Sequence, residues 1–370
     1  MLPGMADTQC VNVRDLGAAA NPDADDTDLI NGALKEHACV TVPPGVYRID
    51  GTLEVRSSLT LLPGARLLRP RPASSAPAHD PTAPVVILCG REAALLGGGS
   101  VESQNSSPRG VICVGPLTLS TETVVFWSRI DGVKIVGAGG DGVSAGLNLD
   151  SSEPAPPQGA GKGSTYCGNF TNLRIQGVDA GIKVGRICNG HTFSNVFFSG
   201  IKQYSYWSLD NSENTFVGGF THLSHGATII KLERVAHNLF YAIQGEPGQD
   251  QDAQGNPINN PSRFFDVDTA SIYCQILGFG NCSASPLYTA PMATTDDPVA
   301  PLRALTCLHG GMLSAVSFQA ISHDRKLFGD PYRMVPQAGA PQADSGATTI
   351  DQLRADFNAL LGKLRASGAV

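Results

Sequence analysis

Four short segments between residues 172 and 243 share one pattern, an asparagine followed by alternating apolar and variable residues. They are Asn172-Leu-Arg-Ile-Gln-Gly177, Asn195-Val-Phe-Phe-Ser-Gly200, Asn214-Thr-Phe-Val-Gly-Gly219 and Asn238-Leu-Phe-Tyr-Ala-Ile243. Such alternation is typical of a β-strand. The asparagines are 23, 19 and 24 residues apart, and repeats of this length indicate a solenoid, because one turn cannot bury its inner face alone. The pattern therefore predicts an all-β fold, a right-handed single-stranded parallel β-helix.

Composition restricts the classes of function. Charged residues make up 16% of the 370-residue chain, below the roughly 25% of typical soluble domains. The net charge is −7 and no block of lysine or arginine occurs, which argues against a nucleic-acid partner. The sequence has no apolar run long enough to insert into a membrane. The N-terminal residues lack the basic and apolar regions of a secretory signal.

Metal and cofactor chemistry receives no support from the sequence. The nine cysteines include no Cys-x-x-Cys pair, so zinc is not expected. We expect reduced thiols packed as small apolar residues, as in a protein made in a reducing compartment. Asp141, Asp150 and Asp210 do not form a convincing calcium set. We therefore predict no metal and no cofactor.

The N-terminal segment reads as a leader to the solenoid. A short strand at Val11-Asn-Val13 is followed by Asp25-Asp-Thr27, which supplies helix N-cap residue types. The segment Val42-Pro-Pro-Gly-Val-Tyr-Arg-Ile49 then reads as strand, turn and strand. Together these pieces resemble the leader of pectate-lyase-like β-helix proteins, the version shared by bacteriophage tailspikes and polysaccharide-degrading enzymes. The resemblance implies that the helix caps the open end of the solenoid, and it carries no catalytic residue.

The C-terminal segment reads as an oligomerisation helix. Thr348-Thr-Ile-Asp351 has the form of a capping box, and apolar residues follow in an a/d heptad seam. The seam residues are Ile350, Leu353, Phe357, Leu360 and Leu364. Residues 353–368 are similar to the C-terminal tails of phage head-fibre and related virion proteins. The resemblance to tailspikes implies a homotrimer, with which a short three-helix tail agrees. The alternative is a helix folded back on its own solenoid.

These observations divide the chain into five parts. Residues 1–10 form an N-terminal peptide, for which the phage resemblance implies virion attachment, and 11–70 form the leader and cap. Residues 71–283 form the β-helix body, 284–347 a C-terminal extension of unassigned fold, and 348–370 the oligomerisation helix.

The predicted register places equivalent residues of successive turns in an asparagine ladder and in two outward columns of side chains. Stacked at equal positions, the repeated asparagines Asn172, Asn195, Asn214 and Asn238 predict a structural ladder of amide hydrogen bonds. If Trp207 and Leu209 face inward, alternation places Lys183, Ser208 and Lys231 in one outward column. The next outward column then holds Gly185, Asp210 and Glu233.

The second column suggests catalysis. Asp210 and Glu233 would lie on neighbouring turns, about 4.8 Å apart, as paired carboxylates of a glycosidase do. Proximity would raise one pKa, as a general acid requires. Lys183, Lys231, Tyr204, Tyr206 and Glu213 would bind the sugar. The alternative is that outward charges serve solubility, and a register error of one residue would reverse every side chain.

The resemblances favour a phage tailspike-like virion protein, assembled in the bacterial cytoplasm, that binds host surface polysaccharide and contacts other virion proteins. Whether it also depolymerises the polysaccharide, as a hydrolase or a lyase, is left open by the sequence. One alternative is a non-enzymatic head or tail fibre or decoration protein. The other is a cellular polysaccharide lyase or glycoside hydrolase.

Overall fold

The computed structural model describes residues 10–72, 79–118, 124–150, 163–223, 227–246, 263–267, 271, 274–277, 280–281, 305–308 and 352. Within these residues the chain forms the helix Thr27–Glu36 and parallel strands in four stacked sheets, here called sheets I to IV. The paired strands of every sheet run parallel, in the order of the turns.

Sheet I contains Val11–Asn12, Cys39–Val42, Ser58–Leu61, Ala94–Gly97, Arg129–Asp131, Asn169–Thr171, Thr192–Ser194, Thr215–Val217, Leu239–Tyr241, Cys274–Leu277 and Leu305–Leu308. Sheet II contains Gly45–Arg48, Ala65–Arg69, Ser100–Ser103, Lys134–Val136, Arg174–Gln176, Phe197–Ile201, Phe220–Leu223, Gln244–Glu246 and Gly280–Asn281. Sheet III contains Leu53–Val55, Val86–Leu88, Ile112–Val114, Ala145–Leu149, Ala180–Val184, Tyr204–Leu209, Thr228–Glu233 and Arg263–Val267. The short sheet IV contains Val125–Phe126, Thr165–Tyr166 and Cys188–Asn189.

Each turn of the chain passes through sheets I, II and III and then returns to sheet I, through sheet IV in three of the described turns. Each strand pairs in parallel with the equivalent strands of the turns before and after it, as Ile130, Phe170 and Phe193 do in sheet I. This arrangement is that of a parallel β-helix, and the predicted stacking of parallel strands is confirmed.

Aromatic side chains stack through the interior. Phe170, Phe193, Phe216 and Phe240 occupy one inward column of sheet I, with successive ring centroids 5.0, 4.7 and 4.4 Å apart. All four are at most 1% exposed. Equal inward positions on successive turns therefore form the continuous core that a single turn lacks.

The leader folds as its sequence predicts at the level of elements. The helix Thr27–Glu36 buries Ile30, Ala33 and Leu34 against the neighbouring strands of sheets I and III. Asp25, rather than the N-cap residue Asp26, accepts the Thr27 backbone N–H at 3.0 Å. Its carboxylate thereby satisfies one of the free N–H groups of the first turn.

The predicted asparagine ladder exists as two ladders. Asn172 and Asn195 lie at the corner between sheets I and II, in the left-handed region with φ of 55° and 52°. The Asn195 amide donates to Asn172 at 2.7 Å. Asn214 and Asn238 lie at a different corner, before sheet I, and are buried. The Asn214 backbone N–H donates to the Asn238 side chain at 2.8 Å. The single shared register was therefore wrong, as the uneven 19-residue step could have indicated.

One expectation about the cysteines is also wrong. Cys10 and Cys39 form a disulfide that ties the start of the chain to the second strand of sheet I, with their Cα atoms 4.5 Å apart. Cys89, Cys113 and Cys188 are free and buried, as expected, whereas the free Cys167 is exposed. Cys274 is also buried. Sequence spacing missed the disulfide because the two cysteines become neighbours only when adjacent strands pair.

Several predictions lie outside the described residues. These are the peptide 1–9, the extension 284–347 apart from 305–308, and the heptad residues Ile350, Leu353, Phe357, Leu360 and Leu364. No described helix has the length and apolar character needed to cross a membrane.

Candidate functional site on sheet III

The outward columns of sheet III differ from the predicted ones by one residue in a single strand. Lys183 pairs with Trp207, which pairs with Lys231. Ser208 instead pairs with Val184 and Leu232 in the inward column and is 1% exposed. The strand Tyr204–Leu209 therefore presents Trp207 outward where Ser208 was predicted.

Tyr206 faces the core rather than a sugar. Its side chain is 1% exposed and contacts Phe198, Phe216 and Phe240 edge-on, with ring centroids 4.8, 5.2 and 6.1 Å away. Edge-to-face packing of this kind is a preferred aromatic geometry. Because the ring is enclosed, the predicted sugar contact for Tyr206 is wrong.

Four side chains surround Trp207, and with it they occupy three consecutive turns. We call Lys183, Tyr204, Trp207, Lys231 and Glu233 the Trp207 cluster. The Lys183 ammonium lies 4.6 Å and the Lys231 ammonium 5.0 Å from the centroid of the Trp207 ring. The indole N–H donates to a Glu233 carboxylate oxygen at 2.7 Å. The tryptophan is thus held between two cations and fixed by a carboxylate.

The two lysines of the Trp207 cluster differ in their partners. Lys231 forms an ion pair with Glu233 at 3.0 Å and donates to the Tyr204 hydroxyl at 3.3 Å. Burial opposes its charge, but these two hydrogen bonds outweigh burial and raise its pKa. Lys183 makes no ion pair with any described residue, and burial lowers its pKa. A partly desolvated ammonium gains more from an anionic ligand than an exposed one does.

Asp210 lies in an arginine environment. It has φ of 51° and occupies the corner after the strand Tyr204–Leu209. Its carboxylate accepts from Arg186 at 2.7 Å and from Arg234 at 2.6 and 2.8 Å. Arg186 and Arg234 lie on the turns before and after it. The Arg234 and Arg186 hydrogen bonds lower the pKa of Asp210 despite partial burial.

Asp210 and Glu233 do not occupy equivalent positions on neighbouring turns, contrary to the prediction. Glu233 pairs with Leu209, one position before Asp210. A carboxylate held by two arginines is also a poor proton donor, because protonation would break charge-assisted hydrogen bonds. The raised pKa on which the general-acid prediction depended therefore does not occur at Asp210. The catalytic role of Glu233 stays a prediction.

Glu213 lies away from the Trp207 cluster. It is exposed at the corner that leads into sheet I, with φ of 62°. The corner of Asp210 separates it from sheet III. Its predicted contact with sugar stays a prediction, at a separate edge of the solenoid.

Trp207 is a residue of the candidate site that was not predicted from the sequence. Hydrophobicity favoured an inward tryptophan, but its indole N–H needs an acceptor when it is removed from water. Glu233 on the following turn supplies that acceptor outside the solenoid. The available signal was a tryptophan three residues before the corner residue Asp210, with an acidic residue 26 positions later.

A buried histidine at the corner before sheet I has a structural role. His191 is 1% exposed, and its Nδ1 accepts the Gly168 backbone N–H at 2.9 Å. Burial lowers its pKa to about 3, so the imidazole is neutral. In the part of the chain that the structure describes, no three histidine, cysteine or acidic side chains form a group that could hold a metal ion.

Comparisons with known proteins add similarities of fold. No family model matches the chain, and no curated protein sequence matches it. The structure is similar to the enzymatically active domain of bacteriophage CBA120 tailspike protein 2, with a TM-score of 0.48 and 13% identity over 74% of this chain and 43% of that one. It is also similar to a family 28 exopolygalacturonase of Yersinia enterocolitica, with a TM-score of 0.30 and 14% identity over 74% and 69% of the two chains.

A third similarity is to a surface adhesin of Streptococcus pneumoniae, with a TM-score of 0.32 and 12% identity over 74% of this chain and 86% of the adhesin. The chain spans less than half of the tailspike domain. At these identities no function is carried over to the chain, and the proposal below rests on its own residues.

Proposed function

We propose that the outer face of sheet III binds an acidic polysaccharide through the Trp207 cluster, in a tailspike-type virion protein that recognises the host surface. The observation that carries the proposal is the outward stack of Lys183, Trp207 and Lys231 on three consecutive turns. Turns follow one another at about 4.8 Å, which is comparable to the length of one sugar unit. Successive sugars of a chain lying along the axis would therefore meet successive side chains.

Charge supports an anionic ligand. The Trp207 cluster has two lysines and one carboxylate, and the adjoining corner has Arg186 and Arg234 around Asp210. The five residues of the Trp207 cluster carry an excess of one positive charge, although the chain as a whole carries −7. Asp266 follows Lys231 in the outward column on the next turn. A local positive excess on an acidic protein attracts an anionic chain to one face and disfavours the rest of the surface.

Lys183 has no ion-pair partner among the described residues, so its ammonium is a specific contact for an anionic ligand. A carboxylate of an acidic sugar at this position would pair with the ammonium, while the Trp207 ring packs beside it. Such aromatic anchors with a charged neighbour usually supply most of the binding free energy of a surface.

Two further parts of the proposal rest on sequence. The heptad at 350–364 supports a homotrimer, and the leader supports a solenoid capped by the helix Thr27–Glu36. Light scattering is expected to give three times the 38.6 kDa of one chain. A monomer at micromolar concentration would remove the trimer.

Cleavage of the bound polysaccharide is a second candidate function. Its support is Glu233, whose carboxylate lies within the proposed binding surface and contacts both Trp207 and Lys231. Incubation with acidic bacterial capsular polysaccharides, followed by assays for new reducing ends and for the ultraviolet absorbance of unsaturated uronates, tests hydrolase and lyase activity together. Binding without product would make the protein a non-enzymatic adhesive spike.

The binding test uses Trp207→Thr, because threonine suits an outward strand position. We expect the affinity for an acidic capsular polysaccharide to fall about 30-fold, as for the loss of a central aromatic anchor. The matched control is Tyr241→Thr, which removes an outward aromatic ring of sheet I that is 50% exposed. Equal losses in the two variants, or no loss in Trp207→Thr, would reject sheet III as the binding face.

A further inference from the structure

A second tryptophan is exposed at another edge of the solenoid. Trp127 follows the strand Val125–Phe126 of sheet IV and stands at the corner before sheet I. It is 46% exposed and has φ of 55°, in the left-handed region that few large residues adopt. A large apolar side chain held outward at a corner gains nothing from the core and is available to a ligand.

A cation and two further rings surround it. The Arg91 guanidinium lies 4.4 Å from the centroid of the Trp127 ring and 6.0 Å from that of Phe126. Phe126 stacks on Tyr166 of the next turn, with centroids 5.3 Å apart and planes 24° apart. These contacts restrict the Trp127 side chain, and Arg91 covers one face of its ring.

Arg91 has no anionic partner among the described residues. Its side chain is exposed, and within the described ranges it makes cation–π contacts but no ion pair. Arginine presents a planar fork that matches a carboxylate. An aromatic ring beside such a free guanidinium fits a ligand that has both an apolar ring face and a negative charge.

A protein partner fits this edge less well. Of the large apolar side chains exposed in the described structure, only Val124 lies beside Trp127 along the chain. The corner positions before and after it in the stack hold Glu92 and Cys167, which share its left-handed backbone. A specific protein interface buries about 1,000 Å² or more, far more than one tryptophan and one valine supply.

We infer that Trp127 and Arg91 form a second saccharide-binding site, which takes an acidic sugar unit. The Trp127 ring packs against the apolar face of the sugar ring, and Arg91 pairs with the sugar carboxylate. The inference rests on the proposal that the chain binds acidic polysaccharide, but it uses none of the residues of the Trp207 cluster.

The two sites are far enough apart to be occupied separately. Trp127 belongs to the turn of Cys113, and the outward column of sheet III runs from Cys113 through Asn148 and Lys183 to Trp207. Three steps along the axis amount to about 14 Å, and the two tryptophans also lie on different sides of the corner at Asp210. Two sites on one spike would hold one long polysaccharide at two points, which raises the avidity.

The test uses the fact that the chain has two tryptophans. In Trp207→Phe the fluorescence comes from Trp127 alone, and in Trp127→Asn it comes from Trp207 alone. Asparagine suits the left-handed backbone at residue 127, so the second variant keeps the fold. Each variant is titrated with oligogalacturonate, oligomannuronate and hyaluronan fragments, and with maltohexaose as a neutral probe.

We expect a saturable change in the Trp127 emission with at least one acidic probe, and about fivefold weaker binding when Arg91→Gln is added to Trp207→Phe. No change with any acidic probe, or no weakening by Arg91→Gln, would overturn the second site. An equal response to maltohexaose would overturn its preference for acidic sugars.

The same titrations separate the two proposals. A response of Trp207 in Trp127→Asn without a response of Trp127 in Trp207→Phe overturns the second site and leaves the proposed function intact. The converse result supports the second site and rejects the Trp207 cluster. If the Trp127 emission changes with protein concentration in the absence of sugar, the edge is a contact between copies of the chain, and the inference is overturned.

Discussion

Replacing Asp210 by asparagine distinguishes a structural carboxylate from a catalytic one. Asp210 joins three turns of the solenoid through hydrogen bonds to Arg186 and Arg234, all between 2.6 and 2.8 Å. Asparagine tolerates the left-handed backbone at this corner as well as aspartate does. The substitution therefore removes the charge with little change in backbone strain.

The expected cost follows from the exposure of the partners. The side chains of Asp210, Arg186 and Arg234 are 22%, 27% and 50% exposed, so solvent screens both ion pairs. Screened pairs contribute about 0.2–1 kcal/mol each. In Asp210→Asn the hydrogen bonds lose their charge assistance, and the two arginines face a neutral amide. We therefore expect the free energy of unfolding to fall by about 1 to 2 kcal/mol.

The loss should depend on pH in a defined direction. The pKa of Asp210 is lowered in the folded chain, so its contribution to stability is present above the ordinary aspartate pKa. That contribution disappears as pH falls through the lowered value. The difference between the original chain and Asp210→Asn should therefore be full at neutral pH and shrink in acid below pH 3.8. High salt should also reduce it.

Urea unfolding of the two chains at neutral and acid pH measures this difference. The matched control is Glu213→Gln, because Glu213 is exposed at a nearby corner and makes no ion pair with a described residue. We expect no measurable change there. Equal stability of Asp210→Asn at neutral pH, or a loss that persists unchanged in acid, would refute the charge-bridge interpretation. If a polysaccharide substrate is found and Asp210→Asn abolishes its cleavage without loss of stability, Asp210 is catalytic.

Two stability predictions concern the backbone. Arg69 is 1% exposed, and its guanidinium donates to the carbonyl oxygens of Gly51, Ala83 and Pro84. The substitution Arg69→Met leaves these buried acceptors unpaired and should lower the free energy of unfolding by about 3 kcal/mol. A loss below about 1 kcal/mol in urea unfolding would contradict this. Ala242 has φ of 54°, in the left-handed region that asparagine tolerates better than alanine. Ala242→Asn should therefore raise the free energy of unfolding by about 1 kcal/mol. An unchanged or lowered thermal midpoint would show that the corner is not strained.

The leader and the solenoid could be predicted from sequence because local pattern decides them. The strand predicted at Val11-Asn-Val13 is present as Val11–Asn12, and the strand, turn and strand predicted over residues 42–49 are present as Cys39–Val42 and Gly45–Arg48. The N-cap residue types of Asp25-Asp-Thr27 predicted the start of the helix Thr27–Glu36, which buries Ile30, Ala33 and Leu34. In each case one side of the element is clearly apolar, so only one orientation buries it.

The candidate site could not be predicted in the same way, because the strand Tyr204–Leu209 has aromatic residues on both faces. Trp207 and Leu209 are together more apolar than Tyr206 and Ser208, and hydrophobicity alone turned the strand the wrong way. The neighbouring turns decide its register, since Ile182 and Ile230 pair with Tyr206. They also provide the rings that enclose Tyr206 and the carboxylate that holds Trp207.

The asparagine repeat predicted the stacking of strands but not which residues of successive turns are equivalent. The repeat was enough to predict that strands of this chain alternate apolar and polar residues and stack in parallel, because burying one face of a short strand requires a neighbouring turn. The tertiary structure decided which asparagines share a corner and which side of Tyr204–Leu209 faces solvent. A shift of one residue leaves the local pattern nearly unchanged, and only contacts between turns separate the two alternatives. Those contacts place Lys183, Trp207 and Lys231 together on the outer face of sheet III.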